Sequence, residues 1–486
     1  MALVATLAAG CAKPRPGGPA PVAAPSAAVS AMRNDIAALL DRPGLQRASW
    51  GIAVQSLRTG ERLFEHNPRT LLVPASVMKV VTAAVAGAAV GWDFTFTTTV
   101  EIAGTVDGGT LSGDLVLRGS GDPATLGEGG TDLATAVRDA LNARGITRIT
   151  GRIIGDDNAA EEPRPGLAWS WDDLGTATGA LSGALNATEN VTRIVVRPGV
   201  RPGQPVAIES PEDDPGLLVI NRATTGLAGA TRTLWTERRP GEQGLALEGL
   251  LALDARPAIL TVSVGNPTLW AARLVRSRLV AAGVVVDGDA ADADDLPDAL
   301  NAGERLLAVP SRPLADVVTP MLKRSINMYA DALLRLATGR EGPRETQAAV
   351  AAARRYLREW GVSEDAARIV DGSALSRWNL ASADALVAVL AREFDESGRT
   401  PLMQGLPVAG VDGTLAERMK RTPAAGNVRA KTGAMNGVRS LVGYVTTRDG
   451  EPLAFAVVVN NYEGAASVAV AALDAMAVRL AGFSRR

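Results

Sequence analysis

The sequence predicts an α/β fold: an antiparallel sheet flanked by helices and interrupted by an inserted β-rich domain, with a further domain nested inside it. Three patterns favour this fold. A strand-turn-strand pattern follows the first predicted helix. Helices dominate the last third of the chain, which ends in two strands and a helix. Short β-like segments alternate with Pro and Gly over residues 191–262. A chain of 486 residues is also too long for one ordinary domain.

The first predicted elements are a helix, a hairpin and a second helix. Met32–Leu40 has a helical pattern. Ser49–Leu57 and Arg62–Glu65 have the composition of strands, and Arg58–Glu61 between them supplies turn residues. The apolar segment Pro74–Ala84 predicts a buried helix, because proline is favoured at the first helical position.

The middle of the chain changes from helical to strand-like periodicity. Phe94–Ile102 alternates with period two, and Leu111–Leu117 gives a second strand after glycine-rich turns. Thr131–Ala143 predicts an amphipathic helix that stops at Gly145. Helical periodicity returns at Thr268–Ala282.

The last third is predicted to be mainly helical, with a pair of strands near the end. The predicted helices are Leu314–Arg324, Met328–Ala337, Thr346–Trp360 and Ser382–Glu393. The final predicted elements are two apolar strands and a helix, Ser440–Thr446, Leu453–Asn460 and Ala465–Leu480.

The composition excludes several classes of function. The 50 Lys and Arg residues against 52 Asp and Glu leave no basic excess that would attract nucleic acid. One cysteine and one histidine exclude internal disulfides and a Cys/His zinc site. A Ser-His-Asp hydrolase would have to use His66, which we expect to lie in a polar surface loop. Acid-base chemistry therefore falls to Lys, Ser, Tyr or carboxylates, with no metal or cofactor expected.

The N-terminal residues predict export. A short apolar run with small residues precedes Cys11, and a stretch rich in Pro, Ala and Gly follows it. This order resembles the end of a bacterial lipoprotein signal, with cleavage before Cys11 and lipid on its sulfur. We expect residues 1–30 to be a truncated signal of this type and a tether, and the protein to reside in the periplasm or cell envelope. The alternative is a thiol without a role.

Ser76 and Lys79 form the first of three motifs that carry chemistry. At a spacing of i, i+3 on a helix, the two side chains share one face. That face lies at the helix N-terminus, where the helix dipole disfavours an ammonium group. A lysine buried there can lose its proton near neutral pH and act as a base toward the serine hydroxyl.

Two further motifs follow in order. Ser325–Asn327 lies between two predicted helices and offers a second hydroxyl for proton relay and an amide to hold a carbonyl or a lysine. Lys431–Gly433 leads into an apolar strand. Its lysine and hydroxyl suit recognition of a terminal carboxylate, and its glycine lets the backbone of a substrate approach the strand closely. Each motif alone is weak, but the three in this order are typical of penicillin-binding proteins and serine β-lactamases.

The flanking residues resemble the D-alanyl-D-alanine carboxypeptidase/endopeptidase family, the class C low-molecular-mass penicillin-binding proteins with a large inserted region. The resemblance covers roughly residue 48 to the C-terminus, and the long gap between Ser76 and Ser325 leaves room for inserted domains. The resembling segments are 74–79, 113–117, 121–123, 171–174, 325–330, 371–376 and 430–433.

The resemblance implies a role for each matching residue of the reaction. Ser76 would attack the carbonyl between two D-alanines, and Lys79 would take its proton. Ser325 would pass a proton to the leaving D-Ala nitrogen, and Asn327 would orient Lys79 and the substrate. Backbone N–H groups of Ser76 and Ala434 would form the oxyanion hole.

The resemblance also implies substrate contacts. Lys431 and Thr432 would meet the terminal carboxylate, beside Gly433. Met435, and Asp172 or Asp173 from the insert, would contact the diaminopimelate arm of the peptide. For these two aspartates a role as loop or capping carboxylates stays equally open. Asp371 and Ser373 are expected to support the site structurally.

The implied domain arrangement is a β-lactamase/transpeptidase-like catalytic domain split by the insert. We expect residues 31–94 and 263–486 to form the catalytic domain, residues 95–190 and 240–262 the inserted domain, and residues 191–239 the nested β-rich domain.

The expected function is that of a serine D-Ala-D-Ala carboxypeptidase acting on peptidoglycan stem peptides and acylated by penicillins, with endopeptidase action open. One alternative is a catalytically inactive, peptidoglycan-binding envelope lipoprotein. A β-lactamase is the other, but no Glu-x-x-x-Asn follows Asn327 at short range to supply its extra carboxylate.

Overall fold

The computed structural model describes residues 26–127, 132–209, 216–239, 244–297 and 303–486, so Cys11 and the tether up to residue 25 lie outside the described residues. The helices of these ranges are α1 (Ala27–Leu40), α2 (Met78–Val90), α3 (Leu133–Ala143), α4 (Pro267–Ala281), α5 (Leu314–Arg324), α6 (Asn327–Leu334), α7 (Thr346–Glu359), α8 (Ala383–Glu393), α9 (Pro401–Gly405) and α10 (Ala466–Ala481).

The strands of the same ranges are β1 (Ser49–Ser56), β2 (Arg62–His66), β3 (Thr97–Asp107), β4 (Thr110–Arg118), β5 (Arg148–Ile149), β6 (Ile153–Asp156), β7 (Val191–Arg197), β8 (Ala207–Glu209), β9 (Val219–Asn221), β10 (Thr224–Gly226), β11 (Trp235–Glu237), β12 (Leu245–Glu248), β13 (Leu250–Ala252), β14 (Ala258–Ser263), β15 (Val285–Val286), β16 (Ala290–Asp292), β17 (Glu304–Pro310), β18 (Ala367–Arg368), β19 (Leu380–Ala381), β20 (Arg429–Met435), β21 (Val438–Thr446) and β22 (Pro452–Asn460).

The predicted elements lie close to the observed ones, with three differences. The first helix begins at Ala27, because Ser26 caps it by accepting a hydrogen bond from the Val29 amide. The strand predicted from Phe94 begins at Thr97. The helix predicted from Pro74 begins at Met78, after a 3-10 turn over Ala75–Val77 in which Ala75 has a φ of 51° that an α-helix excludes.

The central sheet has five strands in the order β2-β1-β22-β21-β20, and every neighbouring pair is antiparallel. Within it, β1 and β22 pair from Ser49 opposite Asn460 to Ser56 opposite Leu453. Among the described strands, β20 pairs with β21 and is otherwise bridged only at Arg429, to Val408, so it forms one edge of the sheet, and β2 forms the other.

Helices cover both faces of this sheet, which confirms the predicted fold class. Alternate residues of β22 serve the two layers because strand side chains point to opposite faces. Ala454 and Ala456 join the core built with α2, α5, α6, α7 and α8. Phe455 and Val457 join the core built with α1 and α10. The catalytic motifs lie in and around the first of these layers.

The inserted region has its own cores. A seven-stranded sheet joins β15, β5, β4, β3 and β17, with β6 and β16 attached through β4. One apolar core packs this sheet with α3 and α4 and includes Val100, Leu115, Val137 and Trp270. A second core, with Ile194, Leu247 and Val262 among its members, is formed by residues 194–262.

The packing of residues 267–310 differs from the boundary predicted at residue 263. Helix α4 belongs to the core of the inserted sheet, and β17 pairs with β3. The chain thus rejoins the main sheet and its helices at α5. The strand β14, expected outside the nested unit, pairs with β7 inside it. Both differences arise from pairing between segments far apart in sequence; the division into domains itself stays a prediction.

Among the described residues, no helix combines the length and apolar character needed to cross a membrane.

Candidate active site

Ser76 and Lys79 lie where the 3-10 turn passes into α2. Lys79 is fully buried, whereas Ser76 is half-buried and reaches the surface. The Lys79 Nζ atom lies 3.0 Å from Ser76 Oγ, as the i, i+3 spacing predicts. The strained φ of Ala75 stands directly before the serine, and such strain concentrates at functional sites.

Two oxygen atoms hold the Lys79 amine from its other sides. Asn327 Oδ1 lies 2.7 Å from Nζ, and the carbonyl oxygen of Ser373 lies 3.1 Å from it. A neutral amine has two N–H donors and one lone pair, so it can donate to both oxygens while accepting the Ser76 hydroxyl proton. The ammonium form would donate to all three oxygens. Both protonation states therefore fit the same geometry, and proton transfer requires no rearrangement of the site.

Burial lowers the pKa of Lys79 to about 8, although the negative charges of Asp331 and Asp371 oppose this shift. Removing an ammonium from water is unfavourable, so a buried lysine favours its neutral form. The lowered pKa places a useful fraction of neutral amine near physiological pH. This is the property that a general base needs.

Ser325 and Lys431 form a second lysine-serine pair. Lys431 is fully buried on β20, and its Nζ donates to Ser325 Oγ at 2.9 Å and to the carbonyl oxygen of Thr432 at 2.8 Å. Ser325 ends α5 in the left-handed region, with φ 64°. Burial, and then the charge of Lys79, lower the pKa of Lys431. The amine of Lys431 thus contacts Ser325, and the predicted contact of Lys431 with a substrate carboxylate stays a prediction.

Gly433 allows β20 to pack closely against the Ser76 turn. A methyl group at position 433 would overlap Ser440 Oγ and lie 2.7 Å from the Pro74 carbonyl oxygen. That carbonyl accepts a hydrogen bond of 2.6 Å from Ser440 Oγ. The glycine thus serves the approach of the strand to the turn.

The remaining predicted residues of β20 lie along the sheet edge. Thr432 is half-buried and donates from Oγ1 to Oγ1 of Thr414, 2.8 Å away. Ala434 is exposed and Met435 is half-buried. The oxyanion hole predicted from the amides of Ser76 and Ala434 stays a prediction.

Asp173 lies on a short 3-10 turn, Trp171–Asp173, in the inserted region. Burial raises the pKa of its carboxyl; Asp172 adds to the shift and Arg377 opposes it. Arg377 in turn donates to the carbonyl oxygen of Asn436, the residue after Met435. Through Arg377, the carboxylate of Asp173 is therefore near the same end of β20 as Met435.

The loop around Asp371 supports the site, as the sequence predicted for Asp371 and Ser373. Asp371 accepts hydrogen bonds from the Ser376 amide and from Trp169 Nε1, both 2.9 Å long. Because Trp169 belongs to the inserted region, the insert helps to fix the loop whose Ser373 carbonyl contacts Lys79.

His66 is remote from these groups. It is the last residue of β2, at the edge of the sheet opposite β20, and not in the polar loop expected from the sequence. The lysine-serine pairs therefore assemble without an imidazole.

Three residues that contact the site were not predicted from the sequence. Thr178 accepts from Asn327 Nδ2 through its carbonyl at 2.9 Å, and Thr414 contacts Thr432. Asp331 lies one helical turn after Asn327 on α6, and its Oδ1 accepts from the amides of Gly372 and Ser373 at 2.9 and 3.0 Å. For Asp331 the sequence offered one signal, its i, i+4 spacing from Asn327 on a predicted helix.

The fold has counterparts among solved structures. Penicillin binding protein 4 (DacB) from Haemophilus influenzae aligns with a TM-score of 0.79 and 27% sequence identity, over 93% of this chain and 98% of that one. A structure of the same protein complexed with a β-lactam aligns with a TM-score of 0.74 and 26% identity, over 92% and 98% of the chains.

Sequence comparison gives the same result. A D-alanyl-D-alanine carboxypeptidase of Actinomadura sp. (strain R39) is 34% identical over 483 residues, which cover 96% of this chain and 87% of that protein. The D-alanyl-D-alanine carboxypeptidase DacB of Haemophilus influenzae is 29% identical over 418 residues, 85% of each chain. The family model of D-Ala-D-Ala carboxypeptidase 3 (S13) matches residues 32–482. The chain therefore belongs to the D-Ala-D-Ala carboxypeptidase 3 (S13) family.

Proposed function

We propose that this serine hydrolase removes the terminal D-Ala from peptidoglycan stem peptides through an acyl-enzyme on Ser76. The observation that carries the proposal is the contact of 3.0 Å between Ser76 Oγ and the buried amine of Lys79, whose pKa is lowered to about 8. Its relatives named D-alanyl-D-alanine carboxypeptidase support the choice of substrate.

In the acylation step, Ser76 Oγ attacks the carbonyl carbon of the penultimate D-Ala while its proton passes to Lys79 Nζ. The C–O bond forms as the carbonyl π pair moves onto oxygen, where the amides of Ser76 and Ala434 are proposed to stabilise it. Asn327 and Ser373 hold the new ammonium group of Lys79 in place.

Collapse of the tetrahedral intermediate breaks the C–N bond, and the leaving nitrogen needs a proton. Ser325 is proposed to donate it, with Lys431 supplying a replacement across the 2.9 Å contact. The products of this half-reaction are free D-Ala and an ester on Ser76. The proton that Lys79 took from Ser76 is proposed to pass to Lys431, which returns both amines to their starting states. Water then attacks the ester while neutral Lys79 takes its proton. As the C–O bond to Ser76 breaks, that proton returns to Ser76 Oγ and the carboxylate product leaves.

The terminal carboxylate of the substrate is proposed to lie at Thr432, the half-buried hydroxyl beside Lys431. A carboxylate there would favour the protonated form of Lys431, which burial otherwise disfavours. Hydroxyl donation and a buried positive charge would together select peptides that end in a free carboxylate.

The side chain of the peptide donor is proposed to contact Met435 and Asp173. A carboxylate at position 173 suits a cationic group such as the amine of a diaminopimelate arm. A site open to that arm would also admit a crosslinked peptide, so endopeptidase activity is the second activity we propose. Products from purified muropeptides, identified by mass, would separate release of D-Ala from cleavage of crosslinks.

A fluorescent penicillin tests the proposed function against its alternatives. A long-lived adduct on the wild-type protein, absent in Ser76→Ala, together with D-Ala release from a stem peptide, is the expected result. Rapid turnover of the penicillin would indicate a β-lactamase. Absence of any adduct on folded wild-type protein would indicate an inactive peptidoglycan-binding protein. Adduct formation by Ser76→Ala would refute the nucleophile.

The location proposed is the cell envelope, where peptidoglycan resides. Attachment of lipid to Cys11 stays a prediction, since that residue lies outside the described ranges. Metabolic labelling with a radioactive fatty acid tests it: label in the wild type and its loss in Cys11→Ser are expected.

A further inference from the structure

Asp331 is a half-buried carboxylate that contacts the loop beside Lys79. It lies on α6 one turn after Asn327, so both side chains are on the face that meets α2 and the 371–373 loop. Its Oδ1 accepts the amides of Gly372 and Ser373. Its Oδ2 is buried and has no hydrogen-bond partner among the described residues.

We propose that Asp331 is a positioning residue for the reaction at Ser76: it fixes the Ser373 carbonyl that contacts Lys79, and its negative charge favours the ammonium that Lys79 becomes. This assignment rests on the proposed role of Lys79 as base. It concerns a residue that neither the three motifs nor the sequence comparison assigns.

The anchoring role follows from the chain of contacts. Lys79 donates to the Ser373 carbonyl at 3.1 Å, and the amide of the same Ser373 donates to Asp331 Oδ1 at 3.0 Å. A displacement of the loop at Ser373 would remove one of the two oxygens that orient the Lys79 amine. Because proton transfer depends steeply on the alignment of donor and acceptor, a small shift would slow acylation.

The two hydrogen bonds of Asp331 do not explain why this residue is a carboxylate, and this motivates a role for its charge. Asparagine at position 331 has an Oδ1 that could accept the same two amides, so the loop does not require a carboxylate. A buried carboxylate oxygen without a partner is unfavourable, and its presence needs a compensating function. The nearest function is electrostatic: Asp331 Oδ1 accepts from the amide of Ser373 and Lys79 Nζ donates to the carbonyl of the same residue, so the carboxylate lies close to the amine and its charge favours the ammonium form.

Other charged groups of the described residues also act on Asp331 and Lys79. Burial raises the pKa of Asp331 to about 7; Asp371 adds to this shift, while Lys79 and Arg335 oppose it. Lys431 on β20 is close enough for the charge of Lys79 to contribute to lowering its pKa. On the elements next to α6, Arg324 and Glu189 form an ion pair with each other, so they contribute little net charge.

The test is the pH profile of acylation. The second-order rate constant with a fluorescent penicillin is measured from about pH 5.5 to about pH 9.5 for the wild type, Asp331→Asn and Asp331→Ala. Asp287→Asn is the control; its partly exposed carboxylate pairs with Arg148 in the insert, and we expect a wild-type profile. Circular dichroism and the midpoint of thermal unfolding report whether each variant is folded.

Asp331→Asn keeps both loop hydrogen bonds and loses the charge. We expect the midpoint of its rising limb to move to lower pH by about one unit, because Lys79 loses a negative neighbour. The plateau rate should fall about three- to tenfold, because the ammonium formed in the transition state is less stabilised. An unchanged midpoint in folded Asp331→Asn would overturn the charge role. Failure of this variant to fold would overturn it too, since the carboxylate would then serve the fold.

Asp331→Ala removes the loop anchor as well. We expect a midpoint like that of Asp331→Asn and a plateau about tenfold lower still. Identical profiles for the two variants would overturn the anchoring role, whereas failure of Asp331→Ala alone to fold would support it. If Ser76→Ala lost acylation but Lys79→Ala stayed active, the proposed function would be contradicted, because Lys79 would not be the base. That result differs from those that overturn the role of Asp331.

Discussion

Lys431 Nζ lies 2.9 Å from Ser325 Oγ, so the site contains two buried lysines, each in contact with a serine. The first pair, Ser76 and Lys79, is suited to take a proton at acylation. The second pair is suited to return one to the leaving group. Since both amines are fully buried and near each other, each disfavours the charge of the other, and their protonation should alternate during the reaction.

The rate of acylation should rise with pH, with its midpoint near pH 8 and a plateau about one pH unit or more above it. Neutral Lys79 is the active form, and its pKa of about 8 means that only about 1% of the amine is neutral at pH 6. The rate constant for penicillin acylation should therefore increase about tenfold per pH unit below the midpoint. Stopped-flow measurements across this range, with circular dichroism as a check on folding, test it; a flat profile would exclude Lys79 as the titrating base.

Lys431→Ala should slow substrates with a free terminal carboxylate more than their amidated analogues. A charge-assisted contact is worth about 1.5–3 kcal/mol, or one to two decades in kcat/KM. The measurement compares kcat/KM for a D-Ala-D-Ala peptide and its amide in wild type, Lys431→Ala and Lys79→Ala. Loss of the base in Lys79→Ala should slow both peptides alike. If Lys431→Ala slowed both peptides by the same factor, Lys431 would not recognise the carboxylate, and its role would be confined to the contact with Ser325.

His66→Ala should change D-Ala release and penicillin acylation by no more than a few-fold. The imidazole lies on the sheet edge opposite the catalytic strand, and the two lysines already supply the proton transfers. Steady-state rates for the variant and the wild type check this directly. A loss of several orders of magnitude would require a mechanism that depends on histidine.

Gly433→Ala should impair acylation by about 100-fold, because even a small displacement of catalytic groups is costly. The added methyl group would overlap Ser440 Oγ and crowd the Pro74 carbonyl, forcing β20 away from the Ser76 turn. Gly482→Ala is the matched control, since its methyl group would meet no atom closer than 3.5 Å. If both variants are acylated at the wild-type rate, the close approach at position 433 is not needed for activity.

Features that depend on residues close together in the chain could be predicted from the sequence. The Ser76–Lys79 pairing depends on helical spacing alone, and the two C-terminal strands depend on apolar runs, so each could be found from the sequence. The role of Asp331 could not, because it depends on a loop that begins forty residues later in the chain. The packing of helix α4 on the inserted sheet could not be predicted for the same reason. An apolar face predicts that helix α4 is covered, but not which sheet covers it.

The pairing of β1 with β22 has a consequence for biosynthesis. These neighbours in the sheet lie close to opposite ends of the folded chain, and closing so long a loop is slow and entropically costly. A nascent chain holds Ser76 and Lys79 long before Lys431 emerges, and the strand that completes the sheet emerges later still. Hydrolytic competence should therefore appear only at the last step of folding, so that incomplete chains do not cut the wall.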